Sequence, residues 1–221
     1  MKQPVAAFTL SLTMGSRIQF IQLNMNRAGL AAVYLNERIK EIKGDFICLI
    51  TEPHNYGGKV ANLPRNCKFV PYTLKEKECR AAIIASPNIE IVEISDLCTK
   101  DSAVAYCNID NTRILVCSGY LDIKLPVVQE WMNKVIKYAD SKDSELLMGV
   151  DTNCHSNLFG EETNKRGYEL EEFIIENGLA VENTGTIPTF ETIRADKRMA
   201  TCVDATLTRD LGEKILSLIH I

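Results

Sequence analysis

Residues 148–155 read MGVDTNCH and place a carboxylate, an amide and an imidazole at alternate positions, Asp151, Asn153 and His155. The apolar run Leu146–Val150 comes just before them, so they stand where a buried strand leaves the core. The pattern recurs: Asn24 and Asn26 follow RIQFIQL, Glu52 follows DFICLI, and Tyr120 and Asp122 follow RILVCSG. In open α/β sheets, sites assemble at the carboxyl ends of strands. Each residue alone has a plainer reading. Asn24 could sit in a turn and Glu52 on the surface, and Asp151 and Asn153 could cap a loop by bonding local backbone. Four strands with such endings argue for one shared site.

Hard oxygen ligands suit Mg²⁺, with Mn²⁺ as its substitute, bound through one or two carboxylates plus a substrate phosphate. Such an ion polarises a phosphoryl oxygen and steadies the leaving oxygen. An aspartate can take the proton of the attacking water. Asparagine, tyrosine and histidine can donate to charge building on the phosphoryl oxygens. The chemistry that fits is phosphodiester hydrolysis. Zinc fits less well, because the candidates lack a thiolate–imidazole cluster. Asp204 differs from the rest, being one carboxylate in the middle of the strand pattern TCVDATL. A charge buried there must be paired, and its natural partner is a histidine that it holds in position. His54 and His155 belong to other loops and His220 to the tail, so none is an evident partner.

These groups need a scaffold. Apolar residues at 28, 32, 35, 39 and 42 have helical spacing, closed by Lys43-Gly44. A second helix is expected over Pro126–Ala139 and a third over Gly167–Glu176. Strands are expected at 17–24, 45–50, 67–72, 81–85, 89–94, 102–109, 112–118, 146–150, 189–191 and 201–207. Strand–helix–strand units mixed with hairpins mean an α/β protein with mixed sheets. With 221 residues, 46% of them hydrophobic, the chain can bury one substantial core. Eight cysteines without a C-x-x-C pair read as reduced thiols, with Cys48 and Cys117 in the core. A net charge of −4 argues against a broad basic surface but leaves room for a local basic face. No apolar run is long enough to span a membrane. No G-x-G-x-x-G follows a strand, which disfavours a dinucleotide-binding dehydrogenase.

Taken together, QLNMNR, TEP, SGYLD, GVDTNCH and CVDATL resemble, in order, the motifs of the endonuclease/exonuclease/phosphatase superfamily. That group contains DNase I and the exonuclease III-type abasic-site endonucleases, and the likeness runs from about Arg17 to Leu207. DTNCHS, NKRGYELEEFIIENGL followed by VENTGTIPTF, and the compact CVDATL resemble the endonuclease domain of non-LTR retrotransposons in particular. The resemblance implies a DNase I-like four-layer α/β sandwich, two mixed β-sheets flanked by helices. It implies an enzyme that nicks double-stranded chromosomal DNA, so that an adjoining reverse transcriptase domain primes on the new 3′ hydroxyl and copies element RNA. Such a protein is synthesised in the cytoplasm and acts in the nucleus. Carried over, Glu52 with Asn24 beside it would hold the metal, and Asp151 would orient or deprotonate the water. Asn153 and Tyr120 would contact the scissile phosphate, and Asp204 would orient a catalytic histidine. His155 is either catalytic or a loop brace. Asn26, Arg166 and Arg194 are DNA-contact candidates, a solvated surface being the plainer reading for the arginines.

The chain departs from the family at its end, where no Ser-Asp-His strand follows TRDLGEKI. Residues 216–221, LSLIHI, equal the in-frame translation of a transposase adapter used in sequencing libraries, and are expected to lie outside the domain. Residues 1–16 are expected to be a disordered lead-in, leaving 17–215 as an incomplete domain. Such a domain would lack its last strand or strands, expose a sheet edge and nick little. Two alternatives remain: an abasic-site endonuclease or phosphoesterase of the same fold, and a decayed remnant that binds nucleic acid without cleaving it.

Overall fold

The computed structural model describes residues 7–14, 16–56, 59–71, 78–109, 112–183, 188–194, 197–211 and 215–220. The chain begins with β1 (Ala7–Met14), β2 (Ser16–Asn24), α1 (Gly29–Glu41) and β3 (Asp45–Thr51). Next come the short pair β4 (Asn55–Tyr56) and β5 (Lys59–Val60), then β6 (Lys68–Val70), β7 (Ala81–Ala85) and β8 (Glu90–Glu93). The long strands β9 (Ser102–Ile109) and β10 (Thr112–Tyr120) lead to α2 (Glu130–Lys142) and β11 (Glu145–Asp151). The chain continues with α3 (Lys165–Glu176), β12 (Ala180–Val181), β13 (Phe190–Arg194), β14 (Lys197–Thr201), β15 (Asp204–Arg209) and β16 (Ile215–His220).

Two six-stranded sheets result, ordered β16-β1-β2-β3-β7-β6 and β12-β15-β11-β10-β9-β8. Both are mixed: β2 runs parallel to β3 and β10 parallel to β11, while the other pairs are antiparallel. The alternation along β3 shows why they stack. Phe46, Cys48 and Ile50 turn to α1, where they pack with Ala32 and Leu35. Ile47 and Leu49 turn the other way, into the core shared with Val116 and Leu147 of the second sheet. A strand covered on both faces must be apolar on both. The second sheet's core continues to α2 and α3 through Trp131, Val135, Leu170 and Phe173. The layers are therefore helix, sheet, sheet, helices, as expected.

Some boundaries differ from the sequence reading. Residues 7–14, expected as a lead-in, pair antiparallel with β2, from Ala7↔Leu23 to Met14↔Ser16. Phe8, Leu10 and Leu12 alternate there with Thr9, Ser11 and Thr13, a strand pattern that a search for targeting signals passes over. Residues 215–220 pair with β1 in turn, so neither β1 nor β2 is a sheet edge. Residues 1–6 lie outside the described residues. The expected strand 201–207 is split, because Thr201 ends β14 and Asp204 begins β15. The cause is local. The Thr189 hydroxyl accepts the Val203 and Asp204 amides, and the Val203 carbonyl accepts the Thr152 amide.

Gly119 sits under α2 with no room for a side chain, since a Cβ there would lie 2.2 Å from Trp131 Cη2. Overpacking of this kind costs about 1–3 kcal/mol. Gly119→Ala should therefore lower the urea midpoint by a matching amount. Emission from Trp131, the only tryptophan, reports the transition directly. An unchanged midpoint would contradict the packing described.

Candidate active site

The strand registers bring the candidate residues together. Tyr120 ends β10 beside Asp151 at the end of β11, and Asp151 faces Asp204 across β15. In the other sheet Asn24 stands beside Thr51, and Glu52 follows it. The turns after these strands are tight. Asn26, Arg27, Glu52 and Asn153 all have positive φ, between 44° and 55°. Asparagine tolerates this region, but glutamate pays for it, and such conformations collect where function over-determines the backbone. Glu52 is held there by its amide, which donates to the Arg80 carbonyl (2.9 Å), and by its carbonyl, which accepts from the Arg27 amide (2.8 Å).

A hydrogen bond joins the two sheets at the centre of the site: Asn24 Nδ2 donates to Asp151 Oδ2 at 2.7 Å. The Asn24 Oδ1 accepts the Asn26 amide (2.9 Å), which fixes which end of the side chain faces the aspartate. The other oxygen of Asp151 accepts the Asn153 amide at 3.2 Å. Below this layer Thr206 Oγ1 donates to Gln22 Oε1 at 2.7 Å, a second polar tie between the sheets.

Asp204 is only 1% exposed, and neither of its carboxylate oxygens has a hydrogen-bond partner among the described residues. Burial pushes its pKa up to about 7 against the opposing pull of Thr189 and Asn24, with the charge of Glu52 adding to the rise. Burial pushes Asp151 upward as well, followed by the charges of Asp204 and Glu52. Two buried carboxylates facing each other cannot both ionise cheaply, so the pair keeps a proton toward neutral pH.

The Tyr120 side of the site rests on a residue that the sequence reading missed. Arg80, 12% exposed, forks onto Asp101 through Nε and through Nη2 (2.7 Å), while Nη1 donates to Asp122 (2.8 Å). Its guanidinium lies 4.5 Å from the centre of the Tyr120 ring. The Tyr120 phenol is pushed up by burial, then by the charges of Glu52 and Asp151. Asn153 donates through Nδ2 to the Leu121 carbonyl at 3.1 Å, which locks its amide beside Tyr120.

Other candidates stand apart. The His155 imidazole faces Glu161 at 3.6 Å, and its carbonyl accepts the Asn164 amide, so it ties the loop before α3. Arg166 spends its guanidinium on the carbonyls of Leu125 (2.6 Å), Asp122 (3.4 Å) and Ile123 (3.5 Å). It braces the loop after Tyr120. The Arg194 side chain lies outside the described residues. Asn26 meets the site through its backbone amide, which donates to Asn24. Arg27, unremarked in the sequence, reaches Glu52 at 3.3 Å. Among the described residues, no three His, Cys, Asp or Glu side chains form a ready metal cage.

A family model described as endonuclease-reverse transcriptase matches residues 105–216, which is half the chain. The chain belongs to this endonuclease-reverse transcriptase family. No curated protein sequence matches it. Among solved structures, the endonuclease domain of TRAS1, a telomere-specific non-LTR retrotransposon, is similar at 26% identity and a TM-score of 0.70. That match covers 86% of this chain and 84% of the other. An AP endonuclease, LMAP from Leishmania major, shares the fold at 12% identity and a TM-score of 0.61, over 86% and 78% of the two chains. A 3′-5′ exonuclease, NExo from Neisseria meningitidis, shares it at 10% identity and 0.54, over 86% of each chain. The endonuclease-reverse transcriptase chain thus has the DNase I-like fold of the endonuclease/exonuclease/phosphatase superfamily, whose members support a hydrolytic enzyme.

The raised pKa of Asp204 has a consequence for stability. The folded state holds this proton up to about pH 7, while the unfolded carboxyl releases it near its ordinary value of 3.8. Between those values the folded state binds more protons, so stability falls as pH rises through the window. Asp204→Asn removes that fall. From pH 4.5 to pH 8 it should gain at least about 1 kcal/mol on the parent chain, since one pKa unit is worth about 1.4 kcal/mol. Urea titrations at the two pH values check this, and parallel pH profiles for the two chains would contradict it.

Proposed function

We propose that this chain is the DNA-nicking domain of a non-LTR retrotransposon and hydrolyses one phosphodiester bond in duplex DNA with Mg²⁺. The observation that carries the reading is the junction of both sheets at Asn24, Glu52, Tyr120, Asp151, Asn153 and Asp204. The 26% identical TRAS1 domain supports the retrotransposon part.

The donor set fits a hard divalent cation. The charge of Glu52 raises the cost of ionising Asp151 and Asp204 at this junction, and a cation would relieve it. Glu52, with Asn24 beside it, would hold Mg²⁺, or Mn²⁺ in its place, and the ion when bound would polarise the phosphoryl oxygen. Asp151, held by Asn24 and by the Asn153 amide, takes the proton of the attacking water. Tyr120 and Asn153 present donors to the phosphoryl oxygens. Asp204 lies below them as the support for an imidazole. Duplex DNA is the substrate. A reverse transcriptase domain and element RNA are the partners, and the nucleus is the place of action.

A supercoiled-plasmid assay tests this. The chain should convert plasmid to open circles with Mg²⁺ and stop on chelation. Because Asp204 has no imidazole partner among the described residues, the rate should be low and should rise when free imidazole is added. Asp151→Ala should cost about 10²-fold or more, the scale for losing a general base. Plasmid that stays supercoiled with both Mg²⁺ and imidazole present would end the reading.

A further inference from the structure

We propose that Arg80 is a positioning residue that ties the metal-side and phosphate-side halves of the site into one rigid unit. It rests on the endonuclease reading for its kinetic consequence and on geometry alone for its structural one. Arg80 lies just before β7, in the sheet that carries Glu52, and its own carbonyl accepts the Glu52 amide at 2.9 Å. Its side chain crosses to the other sheet. There the fork onto Asp101 meets the residue whose carbonyl accepts the Tyr120 amide at 2.8 Å. The Arg80 amide also donates to the Lys100 carbonyl at 2.6 Å, so main chain and side chain grip the same corner. The third nitrogen holds Asp122, two residues beyond Tyr120. The guanidinium face covers the ring between these anchors.

One residue therefore orients the backbone of Glu52 and the ring of Tyr120, and it touches both segments that flank Tyr120. Nothing requires Arg80 to meet substrate. A planar, always-charged fork can satisfy two carboxylates and stack on an aromatic face at once, which a lysine cannot do. Neither Asp101 nor Asp122 needs to move for this contact to persist. Misplacing a reacting group by about 1 Å can cost 10²-fold in rate without weakening substrate binding much. The same geometry accounts for Asp122, a strand-end carboxylate that faces Arg80 and has no evident part in the hydrolysis.

Two measurements decide it. In solution, the Arg80 Nε–H resonance should be displaced by the Tyr120 ring and exchange slowly with water, and Tyr120→Leu should abolish the displacement. An Arg80 signal at an ordinary position, exchanging freely, overturns the proposal. In the plasmid assay, Arg80→Met should lower kcat by roughly tenfold or more while KM stays nearly constant. Arg80→Lys, which keeps the charge, should recover part of the loss. Adding Arg80→Met to Tyr120→Phe should cost little beyond Tyr120→Phe alone, as expected of two groups acting as one unit. Additive losses, or a change confined to KM, overturn it. If Arg80→Met does not fold by thermal melting, Arg80→Lys carries the kinetic test. If the parent chain nicks no DNA at all, the endonuclease reading falls, and the resonance measurement alone decides whether Arg80 holds Tyr120.

Discussion

Asp151 and Asp204 stand opposite one another on adjacent strands, both inside the protein. Bringing two carboxylates this close in a medium of low polarity is unfavourable, and a fold selected only for stability would replace them with apolar residues of similar size. Much of the surrounding architecture serves to keep them there. The Asn24 amide reaches across from the other sheet to one Asp151 oxygen, and the turn at Asn153 brings an amide to the other. Burial raises both carboxyls, Asp204 to about 7 and Asp151 well above its ordinary value, so the pair shares a proton toward neutral pH.

The seam between the sheets shows the same division. Over most of its area it is dry, with Ile47, Leu49, Ile83, Val104 and Val116 in one cluster. At the carboxyl ends of the strands it turns polar. Gln22 meets Thr206, the Ser118 hydroxyl donates to the Ile50 carbonyl at 2.7 Å, and Arg80 crosses to Asp101 and Asp122. Polar groups in such a place are worthwhile only if each is satisfied. All of these are, and Asp204 stands out because it is not. Rigidity is the return: a seam stitched by directional bonds fixes the relative placement of two sheets more tightly than apolar contact does.

Two of the strands that carry the site, β3 and β11, were legible in the sequence because each is a continuous apolar run ended by a polar residue. That pattern needs no knowledge of partners. DFICLI followed by Glu52, and LLMGV followed by Asp151, state both the strand and the place where it opens. The helices were legible to within a few residues for the same reason. Arg80 was not. In KECRAAII it reads as an ordinary cation at a strand start, and its partners are 21 and 42 residues away. Arg166 and His155 were legible as candidates but not in their roles, because the groups that engage them assemble only in the folded chain. β1 was set aside as part of a lead-in, and most of β16 as an adapter translation, because the pairing that joins them to β2 is not visible in the sequence.

The charge distribution adds a last constraint on how such a site can work. Arg80 and Arg166 lie beside the candidate residues but spend their donors on the protein itself, and Arg27 is drawn toward Glu52. The chain as a whole carries −4. A phosphate approaching the Glu52–Asp151–Asp204 junction therefore meets concentrated negative charge with its nearby guanidinium groups already engaged. If the chain binds DNA there, cation and phosphate cannot bind independently. The cation offsets the repulsion that otherwise keeps the phosphate out, and the phosphate supplies oxygens that the protein alone does not provide. By linkage, each must raise the affinity for the other. A site of this kind holds either ligand weakly by itself and both together firmly, which confines the chemistry to the moment when DNA is in place.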